Sequence, residues 1–149
     1  MQYRFLAALV LVFSLLVFSS CKKEDDMQAK IDDINSFVES GSWRISYFLD
    51  SGNDETNTFS GYNFSFNAGG AVNASNGSTT YNGTWSVTES NSNDDSQDDV
   101  DFNLNFPVTN DFEDLNDDWD IKSYSSTKIE LVDVSGGDGS TDYLTFTKN

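Results

Sequence analysis

The sequence predicts an all-β domain: an eight-stranded, up-and-down antiparallel barrel with a short N-terminal helix, the alternative being a two-sheet β-sandwich. Three observations carry this. Apolar residues recur every three or four positions ahead of Gly41 and every second position after it. Eight alternating runs then follow in succession. Most are joined by connections of hairpin length, and closing such a meander removes the exposed edges of an open sheet.

Residues 1–20 are read as an export signal. A short positive start ends at Arg4, and residues 5–18 carry no charge and one serine. A membrane-crossing helix needs about 20 apolar residues, so this stretch fits the apolar region of a secretory signal. It ends in Ser19-Ser20-Cys21, where polarity switches abruptly to Lys22-Lys23-Glu24-Asp25-Asp26. Small residues directly before a cysteine resemble the bacterial lipoprotein box, although Phe18 stands where a leucine is usual. The resemblance implies cleavage before Cys21 and acylation of its thiol. Cys21 is the chain's one cysteine, so it has no disulfide partner. One acyl chain binds a bilayer marginally, and two or more hold it stably. Lys23-Glu24-Asp25 resembles the surface-export tag of Bacteroidota lipoproteins, which implies the outer face of the outer membrane. A plain charged tether, leaving the protein on the periplasmic face, is the alternative.

Residues 21–40 are expected to be the lipidated tether and the helix. Over 27–40, Ile31, Ile34 and Val38 line one stripe, Phe37 borders it, and Gly41 ends it. The barrel is assigned to 41–149, with strands over 42–50, 58–67, 71–75, 79–88, 100–106, 119–124, 128–134 and 142–148. In the first, Trp43, Ile45, Tyr47 and Leu49 are placed inward and Phe48 outward. Asn76-Gly77 closes the third as a hairpin signal. Gly83 marks a possible bulge in the fourth. Pro107 ends the fifth, since it cannot donate to a ladder. The acidic segment 89–99 is expected to be a solvated loop. Asn110 with Glu113 resembles a capping box, and Phe112 and Leu115 would dock one helical turn on the barrel.

Gly41-Ser42-Trp43, entering the first strand behind a short helix, resembles the lipocalin signature. Gly83-Thr84-Trp85 repeats it. With Asp118-Trp119-Asp120-Ile121 and Tyr143-Leu144-Thr145-Phe146, the pattern is similar to small lipocalin-like lipoproteins of Bacteroidota, built on a calycin-type barrel, over 41–149. The resemblance implies that Trp43 and Trp85 close the barrel. The region is short for a transport lipocalin, and 51–57 replaces the long lid loop.

An eight-stranded barrel is just wide enough to be filled by its own side chains or to hold one small molecule. Eleven aromatics fall in the expected inward set, so a filled core and a genuine cavity both stay open. Tyr47, Tyr62 and Tyr81 are the candidate ligand-binding residues, because each brings a hydroxyl that wants a partner. Two functions follow: a lipid-anchored envelope protein taking a small apolar or amphipathic ligand at the barrel mouth, or an accessory lipoprotein with a filled core. A third, sugar binding on exposed aromatics such as Phe48 or Tyr124, ranks below them.

Charge and composition exclude several classes. Beyond Cys21 lie seven basic and all 25 acidic residues, a net −18. That field repels DNA, RNA and anionic lipid. With no histidine and one cysteine, His-based acid–base chemistry, Ser-His and Cys-His nucleophiles and His/Cys zinc sites have no residues to use. The carboxylates fall in loops or on outward positions, so no enzyme and no cofactor are expected. Calcium is the one metal to weigh, through Asp94, Asp95, Asp98, Asp99 and Asp101, or Asp133, Asp138 and Asp142.

Overall fold

The computed structural model describes residues 21–90, 100–134 and 140–149. The expected export signal, most of the 89–99 loop and residues 135–139 lie outside these residues. The chain divides into two compact units, Met1–Lys30 and Ile31–Asn149. Helix α1 (Cys21–Glu39) begins in the first, where Glu24, Asp25 and Asp26 are exposed. It is longer than the 27–40 helix expected, because the acidic run that reads as a tether continues the helix. Carboxylates near a helix N-terminus oppose the positive end of its dipole. No helix of the described residues is long and apolar enough to cross a membrane.

The second unit holds the end of α1 and the barrel. Its strands are β1 (Trp43–Asp50), β2 (Asn53–Asp54), β3 (Asn63–Asn67), β4 (Ala71–Ser75), β5 (Thr80–Glu89), β6 (Val100–Asn105), β7 (Asp117–Tyr124), β8 (Lys128–Asp133) and β9 (Asp142–Lys148). Each pairs antiparallel with the next around the sheet, and β1–β9 pairing from Trp43↔Lys148 to Leu49↔Tyr143 closes it. β2 is a two-residue strand hung on the end of β1, so eight strands make the cylinder. This is a barrel, not a sandwich.

Two segments differ from expectation. Residues 58–67 do not form one strand: Thr56–Phe59 is a 3-10 turn, and β3 starts only at Asn63. The reason lies beside it, since β1 and β3 pair at Trp43↔Phe64 alone. Above that point the turn fills the gap. Glu55 N–H donates to Phe48 O at 2.9 Å, Phe48 N–H donates to Thr56 Oγ1 at 2.8 Å, and Phe59 is buried. Gly83 is not a bulge either, because the ladder passes it in register opposite Val72. Glycine is required there by close approach: a Cβ would lie 2.4 Å from the Asn105 carbonyl oxygen.

The bulges fall elsewhere. In β1 the register slips between Ile45 and Tyr47, and in β7 between Ile121 and Ser123. One extra residue turns every later side chain to the other face. Phe48 is therefore inward and 1% exposed, while Tyr47 is outward and 40% exposed. Leu49, also expected inward, is half-buried. The β7 bulge carries Tyr124 against Phe37 of α1, with ring centroids 6.3 Å apart.

Of the rest of the inward set, Tyr62, Tyr81 and Ile121 are half-buried and the others are buried as expected. Trp43, Phe64, Phe66, Phe102, Phe106, Trp119, Ile129, Leu131, Leu144 and Phe146 are all buried. Phe66 makes edge-on contacts with Trp85, Phe102 and Phe146, at 5.4, 5.6 and 5.5 Å. Such pairs add about 0.5–1.5 kcal/mol each beyond their area burial. All three tryptophans also donate their indole N–H to a backbone carbonyl: Trp43 to Val38 at 2.8 Å, Trp85 to Asn67 at 3.1 Å and Trp119 to Leu115 at 3.1 Å. Each ring thus tethers a connecting segment to the wall of the barrel.

Candidate functional site

In an up-and-down barrel the connections alternate between ends. The α1–β1 junction and the β3–β4 and β7–β8 turns share one end. Trp43 is fully buried there. Its N–H holds the last turn of α1, and the Lys148 ammonium lies 5.4 Å from its ring centroid while donating to Ser40 Oγ at 2.9 Å. Gly41 is left-handed at φ +111°, and a Cβ there would meet Lys148 Cε at 2.8 Å. The glycine of Gly-Ser-Trp therefore admits the lysine that covers the tryptophan. Trp85 belongs to the same end through its bond to the β3–β4 turn.

The opposite end, where a ligand was expected to enter, is built on Phe112. Asn110 Oδ1 accepts the Phe112 N–H at 3.1 Å, and the Glu113 N–H donates to Asn110 O at 2.7 Å. The expected capping residue thus turns the chain, and a short 3-10 turn follows at Glu113–Leu115. Asn116 clamps the base of this loop: its Oδ1 accepts Phe106 N–H at 2.5 Å and its Nδ2 donates to Phe106 O at 3.0 Å. The Phe112 ring contacts Tyr81, Tyr62, Phe59, Phe106 and Phe64, with centroids 4.4, 5.0, 5.2, 5.2 and 6.1 Å away. Leu115 beside it is fully buried.

Of the three candidate tyrosines, two meet here. Tyr62 and Tyr81 are half-buried, with ring centroids 6.0 Å apart. Burial, then Tyr81, then the nearby Asp111 carboxylate hold the Tyr62 hydroxyl above its ordinary pKa. It stays protonated at neutral pH, a donor rather than a base. Tyr47 is absent from the cluster because of the β1 bulge. Phe59 and Phe48 take part instead, at 5.6 Å from each other, and neither was expected inside. Phe112 alone had a usable signal, its spacing to Leu115. The β1 and β7 bulges also withdraw both aromatics considered as sugar platforms: Phe48 is buried, and Tyr124 packs on Phe37.

Carboxylates ring this mouth. Asp114 is raised above its ordinary pKa by burial and by the charges of Asp50, Asp111, Glu113 and Glu55. Asp117 is pushed up to about 6, first by burial, then by a side-chain hydrogen bond with Asp118 and the charge of Asp133. Among the described residues no three carboxylates, histidines or cysteines gather to hold a metal. Of the calcium candidates, Asp133 and Asp142 face each other across β8–β9. Asp142 Oδ1 accepts from Ser51 N–H at 2.8 Å and Ser140 Oγ at 3.2 Å. Asp101 pairs with Asp120 across β6–β7. Asp94, Asp95, Asp98, Asp99 and Asp138 lie outside the described residues, as does the side chain of Cys21.

No protein-family model matches this chain. No curated protein matches it. Among solved structures, a DUF4847 family protein from Bacteroides vulgatus is similar at a TM-score of 0.49 and 19% identity, covering 78% of this chain and 97% of that chain.

Proposed function

We propose that this is a lipid-anchored, non-enzymatic protein of the bacterial cell envelope, held through acylated Cys21, whose filled barrel serves as a rigid body for interactions on its outer surface and loops. The observation that carries this reading is the occupied lumen. Phe112 touches five rings at one end, Trp43 is buried at the other, and between them Phe64 and Phe66 each meet Phe146 edge to face, as Phe66 meets Phe102. A barrel of eight strands has room for little more. The lipoprotein-box resemblance supports the anchor, and the Lys23-Glu24-Asp25 run supports the outer face of the outer membrane.

Metabolic labelling with an alkyne fatty acid tests the anchor. The full-length protein incorporates label and Cys21→Ala does not; label retained by the variant overturns the anchor. Protease shaving of intact cells tests the address, since full protection leaves the periplasmic face. Cross-linking in native membranes tests the interaction role: a discrete partner adduct supports it, and a monomer under all conditions counts against it.

One observation favours the second reading, a small apolar or amphipathic ligand at the mouth. Tyr62 and Tyr81 stand half-buried beside Phe112, and their hydroxyls are the polar handles an apolar pocket would use. Native mass spectrometry with lipids and hydrophobic fluorophores decides between them. A co-purified or titrated mass that Tyr81→Ala removes would place a ligand there.

A further inference from the structure

The outer wall of the barrel is divided by chemistry. All four basic residues beyond Gly41, namely Arg44, Lys122, Lys128 and Lys148, sit on β1, β7, β8 and β9. Across β3 and β4, and along β5 as far as Thr88, the outward positions carry only asparagine, serine, threonine and one alanine. Three of the amides form a cross-strand ladder: Asn67 Nδ2 donates to Asn73 Oδ1 at 2.9 Å, and Asn73 Nδ2 to Asn82 Oδ1 at 2.6 Å. In a chain with 25 acidic residues, an uncharged wall of this breadth stands apart.

A groove of about 440 Å³ lies at its border, crossing from β5 over β6 to the start of β7. Its polar lining is Thr84, Ser86, Asn103, Asn105, Asn116 and Asp117. Two of these are fixed by their own bonds. Asn103 Nδ2 donates to Thr88 Oγ1 at 2.9 Å, and Asn116 is engaged at both ends with Phe106. Three are open: among the described residues, the side chains of Thr84, Ser86 and Asn105 make no hydrogen bond within the chain. Thr84 is the cross-strand partner of Asn105, and Ser86 of Asn103, so the open groups stand side by side on one face. The groove is thus a recess in the barrel wall with unused donors and acceptors.

The character of a ligand follows from this lining. The groove holds no cation, and the net field of the protein repels anions. Its open groups are hydroxyls and an amide, so a lipid tail would strand them without partners. A hydroxyl-rich, uncharged ligand exchanges its bonds to water for bonds to groups that both donate and accept. We propose that this groove binds an uncharged carbohydrate, a neutral oligosaccharide, through Thr84, Ser86 and Asn105. The site is on the outer wall and is independent of whether the lumen is filled or the chain is anchored.

The test is calorimetric titration of the full chain in detergent micelles with neutral gluco-, manno-, xylo- and galacto-oligosaccharides, with an oligogalacturonate as charged comparison. Amide chemical-shift mapping locates any binder. Saturable binding of a neutral sugar is expected, with shifts centred on 84–86 and 103–105. The Thr84→Val/Asn105→Ala double variant should weaken it about tenfold or more, a loss of about 1.4 kcal/mol. Asn73→Ala, on the same wall but outside the groove, should leave it unchanged. Equal thermal midpoints for all three proteins show that folding is not the cause. The proposal is overturned by no saturable binding up to about 10 mM, by shifts centred elsewhere, by preference for the uronate, or by unaltered affinity in the double variant.

Discussion

The two ends of the barrel are both stopped by large rings, but the rings are held in different ways. Trp43 has a polar handle, and its N–H is bound to Val38 O in a buried setting while a lysine covers its face. Phe112 has no such handle. It is kept in place by five neighbouring rings and by the hydrogen bonds of the loop that carries it. A ring with a directional bond is fixed singly, whereas a ring held by contacts is fixed only as part of its cluster. The first end is therefore expected to be the rigid one, and the second the one that yields.

The largest effect should come from the pinned end. Trp43→Ala removes the plug and strands the Val38 carbonyl, at a cost of about 3–5 kcal/mol, read as a shift of the urea midpoint. Phe112→Ala deletes a ring of similar burial, but the space it leaves opens to water, so its cost should fall near about 3 kcal/mol. It should also take up an apolar fluorophore that Trp43→Phe does not. If Phe112→Ala proves the more damaging, or binds no fluorophore, the contrast between the ends is wrong. Asn116→Ala sharpens it further by loosening the loop without touching a ring. Two bonds to Phe106 are lost, for about 1–3 kcal/mol, and hydrogen exchange should quicken over 107–116 while residues 34–45 stay protected.

The smallest effect is a pH dependence at the yielding end. Asp117 titrates near 6 when folded and near 3.8 otherwise, so between those values the folded chain binds more protons than the unfolded one. Its contribution to stability thus falls as pH rises through that window and is level above it. Asp117→Asn should be more stable than the parent at pH 7, with the difference gone below about pH 4. The lowered groups, Asp54 and Glu130, act in the opposite sense, losing their contribution as pH falls, and both versions of the protein share them. A difference between the two proteins that does not change with pH would show that neither burial nor Asp118 and Asp133 raises Asp117.

Much of this architecture was legible because alternation is a local signal. Val72, Phe102, Leu104, Leu131 and Leu144 each sit where a period of two puts them. What alternation cannot register is a single inserted residue. Ser46 and Lys122 look ordinary in sequence, yet the register slips at each, and the slip at Ser46 exchanges the faces of Tyr47 and Phe48. The candidate site suffered directly. Tyr62, just ahead of β3, and Tyr81 on β5 lie close together, and Tyr47 leaves for the outer wall. Gly83 misled for another reason, since a glycine in a strand marks either a bulge or a close approach, and only the position of Asn105 tells which. The partner of the Trp43 N–H was likewise out of reach, because it is a backbone carbonyl that no side-chain pattern announces.

The pairing of β1 with β9 ties the first strand of the barrel to its last, about a hundred positions away. Every other pairing joins segments near in sequence and can form as the chain lengthens. The final seam must wait for the C-terminus, which makes it the slow, entropy-limited event of folding. A chain cut before Asp142 keeps every earlier hairpin but never acquires its clasp. Two such truncated copies, each with open edges at β1 and β8, are left to pair edge to edge instead.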